Sequence, residues 1–217
     1  MKVGAFLLAI TMNLDAVQAI TVFKSIKELR EEIKRYCLAP DRPDLSVEDF
    51  QHILTQQYGI AIEKKAVTVE TQFLAGMVER YDNRAIIFIK ADMDREWLRF
   101  VSTKELCHLL IDDGDMDCSS NGVETIEYLL EEYKIQNDDF AERVAQSEAL
   151  AEIAAIELMY PYSERCVDRD KVASGELTTL SIAEYYCVPE FIVSRALADW
   201  FHKMATTIWH LVDDKQD

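Results

Sequence analysis

Three polar residues within one predicted helix have the types and the spacing for metal or proton-transfer chemistry. Lys104, Glu105 and His108 lie in a stretch whose apolar positions follow a helical period. Positions i and i+4 share a helix face, so Lys104 and His108 point the same way, with Glu105 beside them. Since an imidazole can bind a metal and a neighbouring carboxylate can accept a proton, this stretch is the first candidate site.

The spacing is that of a zinc motif with one ligand changed. In the motif His-Glu-x-x-His, two histidines one turn apart bind zinc and the glutamate takes a proton from the metal-bound water. Here Lys104 stands at the first histidine position, whereas Glu105 and His108 keep the remainder. Glu-x-x-His alone occurs by chance in many helices, where the histidine more often packs or hydrogen-bonds than binds a metal. The surrounding elements therefore decide the interpretation.

The hydrophobic pattern predicts a helix-rich α+β fold. Ser46 is a predicted N-cap and Gly59 a predicted C-terminal stop of the second helix. Short β-branched runs predict a small antiparallel sheet, in which residues 85–89 are apolar enough to form a central strand. The predicted helices cover residues 14–37, 46–58, 95–111, 123–133 and 140–159, the predicted strands cover residues 60–62, 66–69 and 85–89, and two short helices flank a turn at residues 187–189.

The charge balance disfavours some classes of partner. The 217 residues include 23 Lys+Arg and 40 Asp+Glu, which gives a formal net charge of -17. So acidic a surface repels a phosphate backbone, and direct nucleic-acid binding is therefore disfavoured. The charge either favours a basic protein partner or only keeps the protein soluble, and both interpretations stay open.

Cysteine spacing and the N-terminal pattern favour a cytoplasmic protein. The 5 Cys include no Cys-x-x-Cys pair, which disfavours a disulfide framework or a thiolate zinc site and favours a reducing compartment. The apolar run over residues 3–10 imitates a short signal peptide. We favour a helix instead, because Ile20, Phe23 and Ile26 continue an amphipathic face. No stretch is long enough to span a membrane, so we expect no membrane partner.

In three separate places the chain resembles the ImmA/IrrE family of zinc metallopeptidases. The family helix reads approximately R-F-T-x-x-H-E-x-x-H-x-L-L, and residues 99–110 read R-F-V-S-T-K-E-L-C-H-L-L. A later family helix reads E-x-x-A-N-x-F-A-x-x-L-L-M-P, and residues 148–161 are similar in register, reading E-A-L-A-E-I-A-A-I-E-L-M-Y-P. Residues 180–197 are similar to the helix-turn-helix-like segment with which the family often ends.

The resemblance implies site residues and domain boundaries. It places Glu105 at the general-base position and His108 and Glu148 at zinc-ligand positions. Active family members cut helix-turn-helix repressors and so release genes of phages, mobile elements or stress responses. The implied organisation is an N-terminal helical segment over residues 1–40, a zincin-like domain over residues 44–165, and a helix-turn-helix-like segment over residues 166–217 packed on it.

The departures from the family pattern fall on or near the ligand set. Lys104 replaces a ligand, Glu152 stands where the family has Asn, and Ala154 stands where it has Phe. A protonated ammonium does not coordinate zinc. Making Lys104 neutral near pH 7 requires its pKa to fall by about three units from roughly 10.4, which costs about 4 kcal/mol. We therefore expect no tightly bound cofactor, and zinc only if the protein is an active enzyme.

Two arrangements of the altered site stay open. In the first, the Lys104 ammonium occupies the metal space and pairs with Glu105 or Glu148. In the second, Asp112, which shares the helix face of His108, adds an oxygen ligand to the set. Such an oxygen-rich site suits a harder or weakly held metal.

The altered motif leads to a functional hypothesis and to two rivals. We expect a protein that binds a partner, such as a basic helix-turn-helix regulator, without cutting it. The first rival is an active metallopeptidase that cleaves such a repressor with an unusual ligand set. The second is a transcription regulator that uses residues 180–197, which is disfavoured because Arg195 is the only basic residue of its second helix. We favour a helical hairpin that caps the core.

Overall fold

The computed structural model describes residues 16–36, 46–68, 75–81, 83–111 and 138–213. Asp112, the predicted helix over residues 123–133 and the apolar run over residues 3–10 lie outside the described residues. The elements, in chain order, are α1 (Ala16–Tyr36), α2 (Val47–Tyr58), β1 (Ala61–Val67), β2 (Gly76–Arg80), β3 (Arg84–Lys90), α3 (Arg95–Ile111), α4 (Asp138–Met159), α5 (Tyr162–Ala173), α6 (Thr179–Tyr186), α7 (Glu190–Ala196) and α8 (Asp199–Asp213). The described part is thus helix-rich α+β, as the pattern predicted.

The sheet is mixed, and the prediction that it is antiparallel was wrong. β3 lies between β1 and β2, and it pairs with β2 antiparallel but with β1 parallel, with Ala61 opposite Arg84. Ala85 and Ile87 are fully buried, so β3 takes the central place predicted for it and needs a neighbour on both edges. Since β2 and β3 pair as a hairpin, β1 occupies the other edge and runs parallel to β3. The two short strands predicted at residues 60–69 form the single strand β1.

Local signals fix the ends of α2 where the sequence predicted them. Ser46 Oγ accepts a hydrogen bond from the Asp49 backbone N–H at 3.2 Å. Gly59 ends the helix with φ of 64°, a left-handed conformation that glycine adopts at little cost, and its N–H reaches Thr55 O. The predicted helices around residues 95–111, 140–159 and 180–196 are also present, whereas α5, α8 and the strand β2 were not predicted.

Helix α3 is the centre of the described fold. It contacts β2, β3, α2 and α4, and its residues from Phe100 to Leu109 are buried apart from Lys104. Around it lies one continuous apolar cluster, to which α1, α4 and the C-terminal helices also contribute. The candidate motif is therefore held by packing on several sides, which limits the movement of its side chains.

The first and last described helices pack on each other. Phe23 of α1 and Trp209 of α8 meet edge to face, with ring centroids 5.2 Å apart. Lys27 Nζ lies 2.9 Å from Asp213 Oδ1 at the end of the same contact. Within the described residues, no helix combines the length and the apolar character needed to cross a bilayer.

Candidate functional site

The candidate site lies where α3 faces α4. Lys104 and His108 lie one turn apart on α3, and Ser147 and Glu148 lie opposite them on α4. The hydrophobic residues that flank the motif, Leu106 and Leu109, are buried in the core and fix the rotation of α3. The shared face of Lys104 and His108, which the i, i+4 spacing predicted, is thereby directed at α4.

The Lys104 ammonium bridges two carboxylates. Its Nζ lies 2.9 Å from Glu105 Oε1 and 2.7 Å from Glu148 Oε2. The lysine side chain is 15% exposed and that of Glu105 only 2%, so this is a largely buried ion pair with a second, half-exposed partner. The contact between Lys104 and Glu148 that the sequence led us to expect is present.

His108 is held by α4 through both ring nitrogens. Its Nε2 lies 3.3 Å from Glu148 Oε1, and its Nδ1 lies 3.1 Å from Ser147 Oγ. The resemblance implied that Glu148 and His108 are neighbouring ligands, and the structure does bring their side chains together. Glu148 therefore connects His108 to Lys104 by one carboxylate.

The spacing of His108 and Glu148 fits a shared metal, but the full set of residues does not. Two tetrahedral zinc ligands at about 2.0–2.1 Å from the metal stand about 3.3 Å apart, and His108 Nε2 and Glu148 Oε1 are separated by 3.3 Å. The place of the remaining zinc ligand, the first histidine of the motif, is taken by Lys104, whose ammonium group has no lone pair to donate to a metal. Within the described residues, no three His, Cys, Asp or Glu side chains are grouped so that they could hold a metal ion.

Charge pairing determines the protonation of this cluster. Burial lowers the pKa of Lys104, but the carboxylates of Glu105 and Glu148 outweigh burial and hold this pKa above its ordinary value of 10.5. For Glu148, burial raises the pKa, but the nearby Lys104 and His108 outweigh burial. The pKa of Glu148 therefore lies below its ordinary value of 4.5. Lys104 therefore stays charged at neutral pH, and the neutral amine that a zinc ligand requires does not form.

A glycine allows the sheet to approach the site. Gly76 is the first residue of β2, and a Cβ built there would lie 2.5 Å from Val101 Cγ1 and 2.7 Å from Glu105 Oε1. Any side chain at this position would require the Val101 and Glu105 side chains to move. Gly76 was not predicted from the sequence, since an isolated glycine reports a close approach only when its neighbour is known.

A second ion pair connects the site to the C-terminal helices. Glu152 lies one turn after Glu148 on α4, and its Oε1 forms an ion pair with Arg195 of α7. Both side chains are 13% exposed, and burial raises the pKa of Glu152 although Arg195 and Lys104 oppose that rise. Both residues stand out in the sequence, but separately. Glu152 departs from the family pattern, and Arg195 is the only basic residue of its helix. The sequence did not indicate that they pair.

Asp112, the additional oxygen ligand considered for the site, lies outside the described residues. The structure thus brings together Lys104, Glu105, His108 and Glu148 and adds Ser147, which was not predicted. No sequence motif identifies Ser147, because its contact with His108 Nδ1 arises only when α3 and α4 pack against each other.

The Glu148→Gln variant tests the carboxylate bridge. We expect a loss of about 1–2 kcal/mol in unfolding free energy at pH 7, below the roughly 3–5 kcal/mol of a fully buried pair. The expected loss is smaller than for a fully buried pair because the Glu148 side chain is 52% exposed and because Lys104 keeps Glu105 as a partner. Urea unfolding of the variant and the natural chain, each with and without chelator, measures this loss.

The pH dependence of the same comparison has a defined sign. Because the folded-state pKa of Glu148 lies below its ordinary value of 4.5, its stabilisation is fully present above that pH and is lost as pH falls. The stability gap between the natural chain and Glu148→Gln should therefore narrow below about pH 4.5. A gap that depends on chelator instead of pH would contradict a role in pairing Lys104.

Comparison with known proteins assigns no family to the chain, because no protein-family model, curated protein or solved structure matches it. The resemblance thus stays an interpretation of the motifs at residues 99–110 and 148–161. The geometry of α3 and α4 is the basis on which that interpretation is developed.

Proposed function

We propose that the chain is an ImmA/IrrE-like protein of metallopeptidase fold in which Lys104 takes the place of the metal. In this proposal the protein acts by binding a protein partner, and it does not hydrolyse peptides. The observation that carries the proposal is the position of Lys104 Nζ, within 2.9 Å of Glu105 and 2.7 Å of Glu148. Those are the residues that the resemblance assigns to the base and to a ligand.

Electrostatics supports this substitution. Two carboxylates and an imidazole gathered without a cation would leave buried negative charge uncompensated, which is costly. The Lys104 ammonium supplies a covalently attached cation that neutralises Glu105 directly, and the Glu105 side chain is 2% exposed. Because the Lys104 ammonium contacts Glu105 Oε1 at 2.9 Å, this carboxylate would have to leave that contact to act on a water molecule, and the proposal assigns it no general-base role.

The partner is proposed from charge and from the resemblance. Active family members act on helix-turn-helix repressors, which carry basic surfaces for DNA. A chain with 40 Asp+Glu against 23 Lys+Arg can attract such a surface through complementary charge. We propose a cytoplasmic protein that binds a regulator of this kind in a phage, mobile-element or stress response.

The rival candidate is an active metallopeptidase, and one observation favours it. The separation of 3.3 Å between His108 Nε2 and Glu148 Oε1 suits two ligands of one zinc ion. In that case a metal would have to displace the Lys104 ammonium from Glu148, against the pairing that keeps Lys104 protonated.

Metal analysis separates the two candidates. We expect the purified natural chain, before and after incubation with zinc and desalting, to retain far less than one zinc per chain. We also expect no chelator-sensitive cleavage of a basic helix-turn-helix protein. Elemental analysis is the measurement, and about one tightly held zinc per chain with chelator-sensitive peptidase activity would establish the enzyme instead.

A further inference from the structure

The hairpin of α6 and α7 exposes large apolar side chains. Leu180 is 52% exposed, Tyr185 62% and Phe191 57%, and they are among the most exposed large hydrophobic residues of the described chain. All three lie within the segment that resembles a helix-turn-helix. A single exposed apolar side chain needs no explanation, but three within one short hairpin make its exposed side a candidate docking surface.

The hairpin is held firmly from its inner side, so this exposure is not a sign of loose packing. Ile182 and Tyr186 of α6 and Ile192 and Val193 of α7 are buried in the core. Helix α3 also holds the turn, since Arg99 donates to the carbonyls of Tyr186 at 3.2 Å and Cys187 at 2.7 Å. The outer sides of the two helices are thus presented at fixed positions.

Two of these apolar residues have an exposed carboxylate as their neighbour in the sequence. Glu184 precedes Tyr185 on α6, and Glu190 precedes Phe191 on α7, and both glutamates are exposed. Thr179 Oγ1 donates to Glu190 Oε1 at 2.7 Å, which connects the first turn of α6 to the first turn of α7. We call Leu180, Glu184, Tyr185, Glu190 and Phe191 the outer hairpin surface.

The cations near this surface are already engaged by the protein. Arg195, the only basic residue between Glu176 and Asp199, pairs with Glu152 and lies over the Trp200 ring at 5.5 Å. The Arg99 guanidinium donates to the two carbonyls of the turn. The outer hairpin surface is therefore apolar and negative, which excludes it as a reader of nucleic-acid phosphates.

We propose that the outer hairpin surface binds a cationic amphipathic helix of a partner protein. The aromatic and aliphatic side chains would pack on the apolar face of that helix, while Glu184 and Glu190 would meet its flanking Lys or Arg residues. This inference rests on the proposed function in that it names the surface on which the basic partner docks. In this proposal, the segment that resembles a DNA-binding helix-turn-helix binds a protein instead.

The test uses the full chain and a synthetic probe. The probe is a roughly 18-residue Leu/Lys peptide patterned as an amphipathic helix, beside a scrambled peptide of the same composition and a patterned Leu/Glu peptide. Titration calorimetry should show binding of the patterned Leu/Lys peptide in preference to both others. The double variant Tyr185→Ser/Phe191→Ser should weaken that binding by about tenfold or more, since exposed aromatic residues are frequent binding hot spots.

Matched controls separate this surface from general acidity. The double variant Val17→Ser/Leu211→Ser removes two apolar side chains exposed elsewhere and should leave the affinity unchanged. Glu184→Lys should weaken binding more than Glu63→Lys, a carboxylate on β1 that is 61% exposed. Circular dichroism and melts confirm that each variant is folded.

Two outcomes would overturn the inference. Equal affinity for the patterned and scrambled Leu/Lys peptides, or equal weakening by test and control variants, would mean that only net charge is recognised. Self-association of the natural chain that Tyr185→Ser/Phe191→Ser abolishes would assign the surface to a second copy of the chain. Neither outcome depends on zinc, so a failure here is distinguishable from a failure of the Lys104 proposal, which the metal analysis decides.

Discussion

The Lys104→His variant is expected to bind one zinc ion per chain where the natural chain binds essentially none. The change restores His-Glu-x-x-His on α3, with both imidazoles on the face directed at α4. Changing a residue that only hydrogen-bonds to a metal ligand alters metal affinity by about 10–100-fold. We expect a larger gain here, because the change adds a residue that binds zinc directly and removes a cation.

The geometry that supports this result is already present around His108. Its Nε2 stands 3.3 Å from Glu148 Oε1, and its Nδ1 meets Ser147 Oγ at 3.1 Å, where a ligand histidine commonly has a hydrogen-bond partner that fixes its orientation. Removing the Lys104 ammonium also frees the Glu148 carboxylate, whose Oε2 it holds at 2.7 Å. Zinc at about 100 times its dissociation constant should then raise the unfolding free energy by about 2.7 kcal/mol.

Two companion variants make the measurement specific. Lys104→Met removes the ammonium without supplying a ligand and should gain no zinc, and Lys104→His/His108→Ala should lose what the single change gained. Thermal melts with zinc and with chelator, together with elemental analysis, provide the readout. A Lys104→His protein that is folded but insensitive to zinc would show that α3 and α4 do not form a zincin-like cavity, and the family interpretation would fail with it.

Much of the site could be predicted because its order is local. The i, i+4 spacing of Lys104 and His108 fixes a shared helix face whatever the rest of the fold does. The motif that begins at Glu148 supplied the facing carboxylate, and a buried ammonium demands such a partner. Together with the register that the resemblance assigns to Glu148, these rules predict that Lys104 pairs with Glu105 or Glu148, and the structure shows both contacts, at 2.9 Å and 2.7 Å.

What could not be predicted depends on pairings between distant segments. The parallel register of β1 and β3, with Ala61 opposite Arg84, is a contact between segments that are separated in the sequence by the whole of β2. The pair of Glu152 and Arg195 likewise exists only once α7 lies against α4. Helix α5 was not predicted because residues 162–173 read as a mostly polar stretch, in which the Arg165 and Asp168 side chains are nevertheless buried.

Arg165 is the centre of a buried polar cluster between the end of α4 and the helices that follow it. Its guanidinium is fully buried, and it pairs with Glu157 and donates to the carbonyl of Tyr160 at 2.6 Å. The second oxygen of Glu157 accepts from the Tyr162 backbone N–H at 3.2 Å, and the Arg165 guanidinium lies 5.3 Å from the Phe201 ring centroid. This cluster fixes the turn between α4 and α5 and thereby the helix that carries Glu148.

Glu157→Gln is expected to destabilise the protein by about 3–5 kcal/mol, because it keeps the shape of the side chain but leaves the Arg165 charge buried without its partner. Such a loss is a large share of the roughly 5–15 kcal/mol that holds a domain folded. The double variant Glu157→Leu/Arg165→Met should recover most of it, since neither charge remains, although the Tyr162 N–H loses its acceptor. Urea unfolding of the three proteins gives the free energies.

The matched control is the ion pair of Arg169 and Asp199, which joins α5 to α8 at 2.7 Å. Asp199→Asn makes the same kind of change as Glu157→Gln, but at a carboxylate that is 81% exposed, and it should leave the urea midpoint nearly unchanged. Near-equal effects of the two changes would show that burial does not govern the Arg165 cluster. A double variant as unstable as Glu157→Gln would contradict the expectation that the unpaired Arg165 charge causes the loss.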